Sequence, residues 1–189
     1  DTGDHRKSLD LNQQALPLFR TVGNGQGEAD TLQNLGVAFS NLGDPKKALE
    51  HYTDALRLYR EIGDKRSEAD TLTNLAIAYG RTGDNKKAVE VHQQALVFAK
   101  ALADGELEAR NLTGLGSSYR ILGETGKALE CYQQALPLRR KAGDRNGEAY
   151  TLSNLGVVYE TRGEGQKALE VTTEALRLFR EVGNRSGEN

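Results

Sequence analysis

Apolar residues recur along this chain at spacings of three and four, which puts them on one stripe of an α-helix. Around residues 31–41 the stripe is Leu32, Leu35, Gly36 and Phe39; around 45–62 it is Ala48, Leu49, Tyr52, Ala55, Leu56 and Tyr59. Glycine followed by an acid separates the stripes, as Gly43-Asp44 and Gly63-Asp64. Glycine suits the left-handed residue just beyond a helix, and aspartate suits the N-cap of the next. Pro45 then falls at a first helical position, where a missing N–H costs nothing. The pattern predicts pairs of helices, each of about 18 residues, joined by two-residue turns.

The pair repeats. Shifting the chain on itself by 40 residues aligns Leu32, Leu72, Leu112 and Leu152; Phe39, Tyr79, Tyr119 and Tyr159; and Ala48, Ala88, Ala128 and Ala168, with no gaps. The same shift aligns Glu28, Glu68, Glu108, Glu148 and Glu188. The whole chain, 1–189, reads as one array: the second helix of a partial repeat (1–22), full repeats at 23–62, 63–102, 103–142 and 143–182, and the start of a further repeat at 183–189. Neither helix of a hairpin can bury its stripe alone, so the hairpins must stack. Small residues at 36, 48 and 55 allow close approach, and large ones at 39 and 52 fill the space beside them. The fold class that follows is all-α, an α-solenoid of stacked antiparallel helical hairpins.

At these residues the chain resembles the tetratricopeptide repeat family. Leu32, Leu35, Gly36, Phe39, Gly43, Ala48, Tyr52 and Ala55 supply the family's small residue, aromatic, two alanines and second aromatic in order. Leucine replaces the usual first tryptophan, and the usual terminal proline is absent. The 40-residue unit is similar to those of kinesin light chain, of spindle-orientation adaptors, and of bacterial sensor proteins that join such arrays to CHAT or nucleotide-binding modules; "QQALPL" at 13–18 and 133–138 is similar to the bacterial arrays in particular. The resemblance implies a right-handed superhelix with a concave groove lined by the first helices.

The asparagines bring function into view. "TLQNLG" at 31–36 returns as "TLTNLA" at 71–76 and "TLSNLG" at 151–156. At 100° per residue Asn34 lies nearly opposite Leu32 and Phe39, together with Asp30, Val37 and Asn41. In the resembling family this side faces the groove, and the matching asparagine holds the backbone of an extended peptide. That implies a binding role for Asn34, Asn74 and Asn154; Gly114 interrupts the series. The plainer alternative is an asparagine bonded to a neighbouring repeat or to water. The rest of the implied groove is Asp30, Asp70, Arg110 and Tyr150 at its start, Val37, Ile77 and Val157 midway, and Arg81 with Arg120 at its far end. An acidic side chain or terminus set against the arginines would complete the contact, unless Asp70 and Arg110 simply pair with each other.

Composition excludes more than it assigns. At 189 residues with a net charge of −2, 37% hydrophobic and 28% charged, the chain is too polar for a membrane domain, and its interspersed signs form no basic stripe for nucleic acid. One cysteine, Cys131, forbids an intrachain disulfide and fits a reducing cytoplasm. No methionine is present, which predicts a fragment or a processed product. "GNGQG" at 23–27 could suggest a phosphate loop, but it lacks a following Gly-Lys-Ser/Thr and aligns with the turn "GDKRS" at 63–67. His5, His51 and His92 share no register, and Cys131 shares one only with His51, two repeats away, so no metal site is expected. No nucleophile has a histidine partner at helical spacing, and no catalytic residue or cofactor is expected. The triplets Asn111-Leu112-Thr113 and Asn184-Arg185-Ser186 are read as chance glycosylation matches. Pro17 and Pro137 lie inside second helices, as a tolerated bend or a hinge. Ala103 stands where a turn glycine belongs and Glu124 where a capping aspartate belongs; with Gly105, Gly114 and Gly126 they predict a soft segment at 103–130.

The function expected is a protein-interaction scaffold binding an extended peptide segment. The alternatives are a sensor arm of a larger signalling enzyme of CHAT protease or NTPase type whose catalytic domain lies outside this chain, and a receptor for a small signalling peptide. The partner expected is a protein or peptide, with end-to-end self-association through the unpaired terminal helices, and neither nucleic acid nor membrane.

Overall fold

In the computed structural model, residues 2–183 are described and form nine α-helices with no strand: α1 (Thr2–Thr21), α2 (Gly25–Asn41), α3 (Pro45–Ile62), α4 (Lys65–Arg81), α5 (Asn85–Ala101), α6 (Gly105–Ile121), α7 (Thr125–Ala142), α8 (Arg145–Thr161) and α9 (Gly165–Glu181). The architecture is an all-α repeat solenoid. Of the further repeat expected at 183–189, residues 184–189 lie outside the described residues, as does the second glycosylation triplet.

The turns follow the capping logic read from the sequence. The side chains of Asp44, Asp64, Asp104 and Asp144 accept hydrogen bonds from the backbone N–H of Lys47 (3.1 Å), Ser67 (3.0 Å), Leu107 (2.9 Å) and Gly147 (2.8 Å). Asn24 does the same for Gly27 at 2.9 Å, so "GNGQG" is a helix-capping turn. Hydrogen bonding to the N-cap amides is the main cause holding the carboxyls of Asp44 and Asp64 below the usual aspartate range. Two turns have the expected two residues (63–64 and 143–144), but the others have three. In the turn after α2 the extra residue is Leu42, whose N–H still bonds to Ala38 O and closes one more turn of backbone.

Both substitutions in the third repeat have visible consequences. Glu124 makes no side-chain cap bond to α7, and Glu164 makes none to α9. Ala103 adopts φ +52°, the only non-glycine with positive φ among the described residues, where its counterparts Gly23, Gly63, Gly143 and Gly183 lie at +66° to +81°. A Cβ in the left-handed region crowds the carbonyl and costs about 1–2 kcal/mol. Ala103→Gly relieves this and gives back some unfolded-chain entropy. It should raise stability by about 0.5–1 kcal/mol in urea unfolding, and a loss of stability would contradict this account of the turn.

The chain divides into two compact units, 1–98 and 99–189. In the first, Phe39, Ala48, Tyr52, Leu72, Leu75, Ala76 and Ala95 form one cluster, and Ala29, Leu32, Ala55 and Tyr59 another. In the second, the clusters are Ala128, Tyr132, Leu155 and Val158, and Ala149, Leu152, Ala175, Leu178 and Phe179. In α2 and α6 the small residue of the first helix lies under a tyrosine ring, whereas Gly156 of α8 faces Thr172. A Cβ added to Gly36 would stand 2.5 Å from Tyr52 Cε1, and one added to Gly116 would stand 2.6 Å from Tyr132 Cε1. Where alanine occupies this position, at Ala76, the counterpart of Tyr52 is the smaller His92.

α1 and α7 run through Pro17 and Pro137, both of which are exposed. Leu11 and Leu18 on α1, and Val22 in the turn after it, are also exposed. No described helix is long and apolar enough to cross a membrane.

Candidate functional site

The first-helix stripe opposite the core emerges as read. On α2, Asp30, Asn34, Val37 and Asn41 are all exposed, while Leu32, Leu35 and Phe39 are buried. On α4, Asp70 and Asn74 are half-buried and Ile77 and Arg81 exposed; on α8, Tyr150 and Val157 are exposed and Asn154 half-buried. An exposed β-branched aliphatic follows each asparagine by three residues: Val37 (37% exposed), Ile77 (39%) and Val157 (42%). Three residues is nearly one helical turn, so amide and aliphatic sit side by side on the same face. α6 breaks both positions together, with Gly114 and Ser117.

None of the amides of Asn34, Asn74 and Asn154 is hydrogen-bonded within the described residues. The contrast is Asn111, one helical turn before Gly114. It is fully buried and its Nδ2 donates to Leu107 O at 2.9 Å, which also leaves no room for a glycan on that triplet. The threonines at the same register, Thr31 and Thr151, turn their hydroxyls to Gly27 O (2.6 Å) and Gly147 O (2.7 Å). In α2, α6 and α8 the buried polar position thus satisfies itself within the helix, while Thr71 of α4 turns to Gln33 Oε1 at 3.3 Å. The asparagine three residues later in α2, α4 and α8 keeps its donors and acceptor for solvent or a ligand.

The charged members of the stripe are more engaged. Asp30 Oδ1 accepts from Tyr59 Oη (2.7 Å) and Gln26 Nε2 (3.0 Å). Asp70 accepts from Arg66 Nε at 3.0 Å. Arg81 reaches back one repeat and donates Nη1 to both Ser40 O (2.8 Å) and Ser40 Oγ (2.6 Å). Its guanidinium therefore joins two first helices of the first unit. In the second unit Arg110 and Arg120 are half-buried, the Nε of Arg120 is buried with no hydrogen-bond partner, and Tyr150 packs edge-on against Phe179 at 5.0 Å.

Sequence reasoning missed the ion pairs between successive hairpins. Arg60 Nε and Lys65 Nζ both lie 2.9 Å from the carboxylate of Glu68, which is 3% exposed. Arg140 and Arg145 hold Glu148 in the same way, at 2.7 and 3.3 Å, and Arg20 and Lys100 contact Glu28 and Glu108 at 2.8 and 3.9 Å. Burial pushes the Glu68 carboxyl up, but the hydrogen bonds and charges of Lys65 and Arg60 outweigh it and hold it below the usual glutamate range. A lysine also lies over the aromatic that recurs near the end of each full first helix, at 5.1–5.5 Å from the ring centroid for Lys47 on Phe39, Lys87 on Tyr79, Lys127 on Tyr119 and Lys167 on Tyr159. These cations cover core rings. The aromatics are packing residues.

The remaining candidates for chemistry fall to structural roles. Cys131 is buried and its thiol is pushed up to about 11 by burial and the nearby Glu130, so little thiolate forms. His51 stacks on Phe39 at 5.2 Å, and His92 is buried. No group of three His, Cys, Asp or Glu side chains is placed to hold a metal among the described residues.

Comparison with known proteins gives the same picture. The solved structure of BtubC (BKLC) from P. vanneervenii is 25% identical, with a TM-score of 0.83 over 96% of this chain and 76% of that one. MamA is 21% identical, with a TM-score of 0.70 over 96% and 92%. A Rap protein complexed with competence and sporulation factor is 16% identical, with a TM-score of 0.86 over 98% of this chain and 52% of its own. No curated protein sequence matches the chain. The sequence profile described as tetratricopeptide repeat matches residues 1–61, 41–101 and 107–181, and on that match the chain belongs to the tetratricopeptide repeat family.

Proposed function

We propose that the chain is a protein-interaction scaffold whose first-helix faces hold an extended segment of a partner, with Asn34, Asn74 and Asn154 pairing with the segment's peptide groups. The observation that carries this reading is the set of three amides in one register, accessible and unengaged, each beside an exposed aliphatic. A carboxamide offers a donor and an acceptor in one plane, which matches a peptide group whatever the side chain attached to it. The aliphatic neighbours give alternate side chains of the segment an apolar surface. In the second unit Arg110 and Arg120 add a cationic face suited to a carboxylate, which arginine can grip through two parallel bonds. The Rap protein solved with a bound factor is a precedent for ligand binding on this fold.

The test uses peptides selected from a random library for binding to the chain. Asn74→Ala, shown to be folded by circular dichroism, should weaken them by about 1–3 kcal/mol. Arg110→Ala should weaken acidic peptides, with an effect that shrinks as salt rises. Unchanged affinity in both variants would move the binding surface to another face.

A further inference from the structure

The first unit carries a small polar cavity where α2, α3 and α4 meet, lined by Asp30, Gln33, Asn34, Tyr59 and Ser67. Its internal hydrogen bonds leave an uneven remainder. Tyr59 and Gln26 both spend their donors on a single oxygen of Asp30, Oδ1, and no described residue bonds to Oδ2. The Tyr59 hydroxyl is fixed as a donor, because burial and then the Asp30 carboxylate raise its pKa and keep it protonated. Gln33 Oε1 accepts from Thr71 at 3.3 Å, and Asn34 keeps its amide free. Outside the lining, Gln26 Nε2 also reaches Asp64 Oδ2 at 3.5 Å, which brings a second carboxylate close by. The lining thus holds a carboxylate with one oxygen unspent, an adjacent free amide, and no cation.

We propose that this cavity selects a basic side chain, lysine or arginine, from the segment bound along α2 and α4. The inference rests on the scaffold reading above and adds to it the chemistry of one side-chain position. Ammonium and guanidinium groups are donors only, so they match a site whose charged group retains an unused acceptor. A charge-assisted bond to carboxylate is stronger than one between neutral groups, and partial enclosure strengthens it further. A carboxylate side chain would meet Asp30 as a like charge. The pair of Asp30 and Tyr59 belongs to this repeat alone: its counterparts are Asp70, which accepts from Arg66, and Ala99 at 40 residues on, Arg110 and Arg139 at 80, and Tyr150 and Phe179 at 120.

A random-peptide library panned against the whole chain tests this. Bound peptides should share one lysine or arginine position, and changing that residue to glutamine should weaken binding to the native chain roughly tenfold or more, the scale of one charge-assisted contact. Asp30→Asn keeps an acceptor for Tyr59, so the fold is retained while the charge is lost. On that variant the same peptide change should cost less than about twofold. Peptides that depend on Asn34 and Asn74 but show no basic position, or that lose nothing on the change to glutamine, would overturn this inference and leave the scaffold reading intact. Peptides indifferent to both asparagines would overturn both.

Discussion

Tyr132→Ala should lower the unfolding free energy by about 3–5 kcal/mol, the range for deleting a fully buried aromatic ring. Tyr132 is 0% exposed and lies over Gly116, within the cluster of Ala128, Leu155 and Val158. Its ring joins a second helix to the next hairpin, so the cavity left behind opens at the junction through which a solenoid gains its stability. The hydroxyl is the minor part. It meets Ser117 Oγ at 3.1 Å, and Tyr132→Phe should cost only about 1 kcal/mol. Gly116→Ala presses a Cβ against the ring and should cost about 1–3 kcal/mol alone. In the Tyr132→Ala background most of that cost should vanish, because the atom it strikes is gone. Additive costs in the double variant, measured by urea unfolding, would show that the ring and the glycine are not a matched pair.

Glu68→Gln should cost about 1.5–3 kcal/mol near neutral pH, the worth of hydrogen bonds to a charged group. The figure stays below that for breaking a fully buried pair because Arg60 and Lys65 are 50% and 59% exposed and remain hydrated when the carboxylate is gone. The pH dependence has a definite sign. The folded pKa of Glu68 lies below its ordinary value of 4.5, so its contribution is complete above pH 4.5 and is lost as pH falls through the lower folded value. Asp44 and Asp64 are shifted in the same direction. Stability of the native chain should therefore fall below about pH 4.5, and Glu68→Gln should fall less steeply over the same window. Parallel curves would mean that Glu68 contributes nothing through its charge.

What the sequence revealed and what it concealed divide on whether a contact is local. The helices, their caps and the left-handed Ala103 depend on residues within a few positions of one another, and the 40-residue register displays them repeatedly. The outward face of Asn34 follows from the same periodicity. Glu68 recurs in every repeat, yet a glutamate in the first turn of a helix looks like a solvated charge until Arg60, on the preceding helix, is seen beside it. Arg139 falls among ordinary surface cations in the sequence, but its side chain is buried, with Nη1 2.5 Å from Asp144 Oδ2. The bond of Tyr59 to Asp30 spans 29 residues and that of Arg81 to Ser40 spans 41. No spacing rule within one helix anticipates either. The outward placement of Arg81 was thus legible, while its commitment to Ser40 was not.

The central claim is that three asparagine amides hold the backbone of a bound segment. It is tested most directly by following their side-chain NH2 signals in a nitrogen-edited NMR titration of the chain with a selected peptide. The account predicts that the signals of Asn34, Asn74 and Asn154 shift together along one binding curve, while that of buried Asn111, bonded to Leu107 O, stays in place. Saturable peptide binding that leaves all three signals unmoved would contradict it.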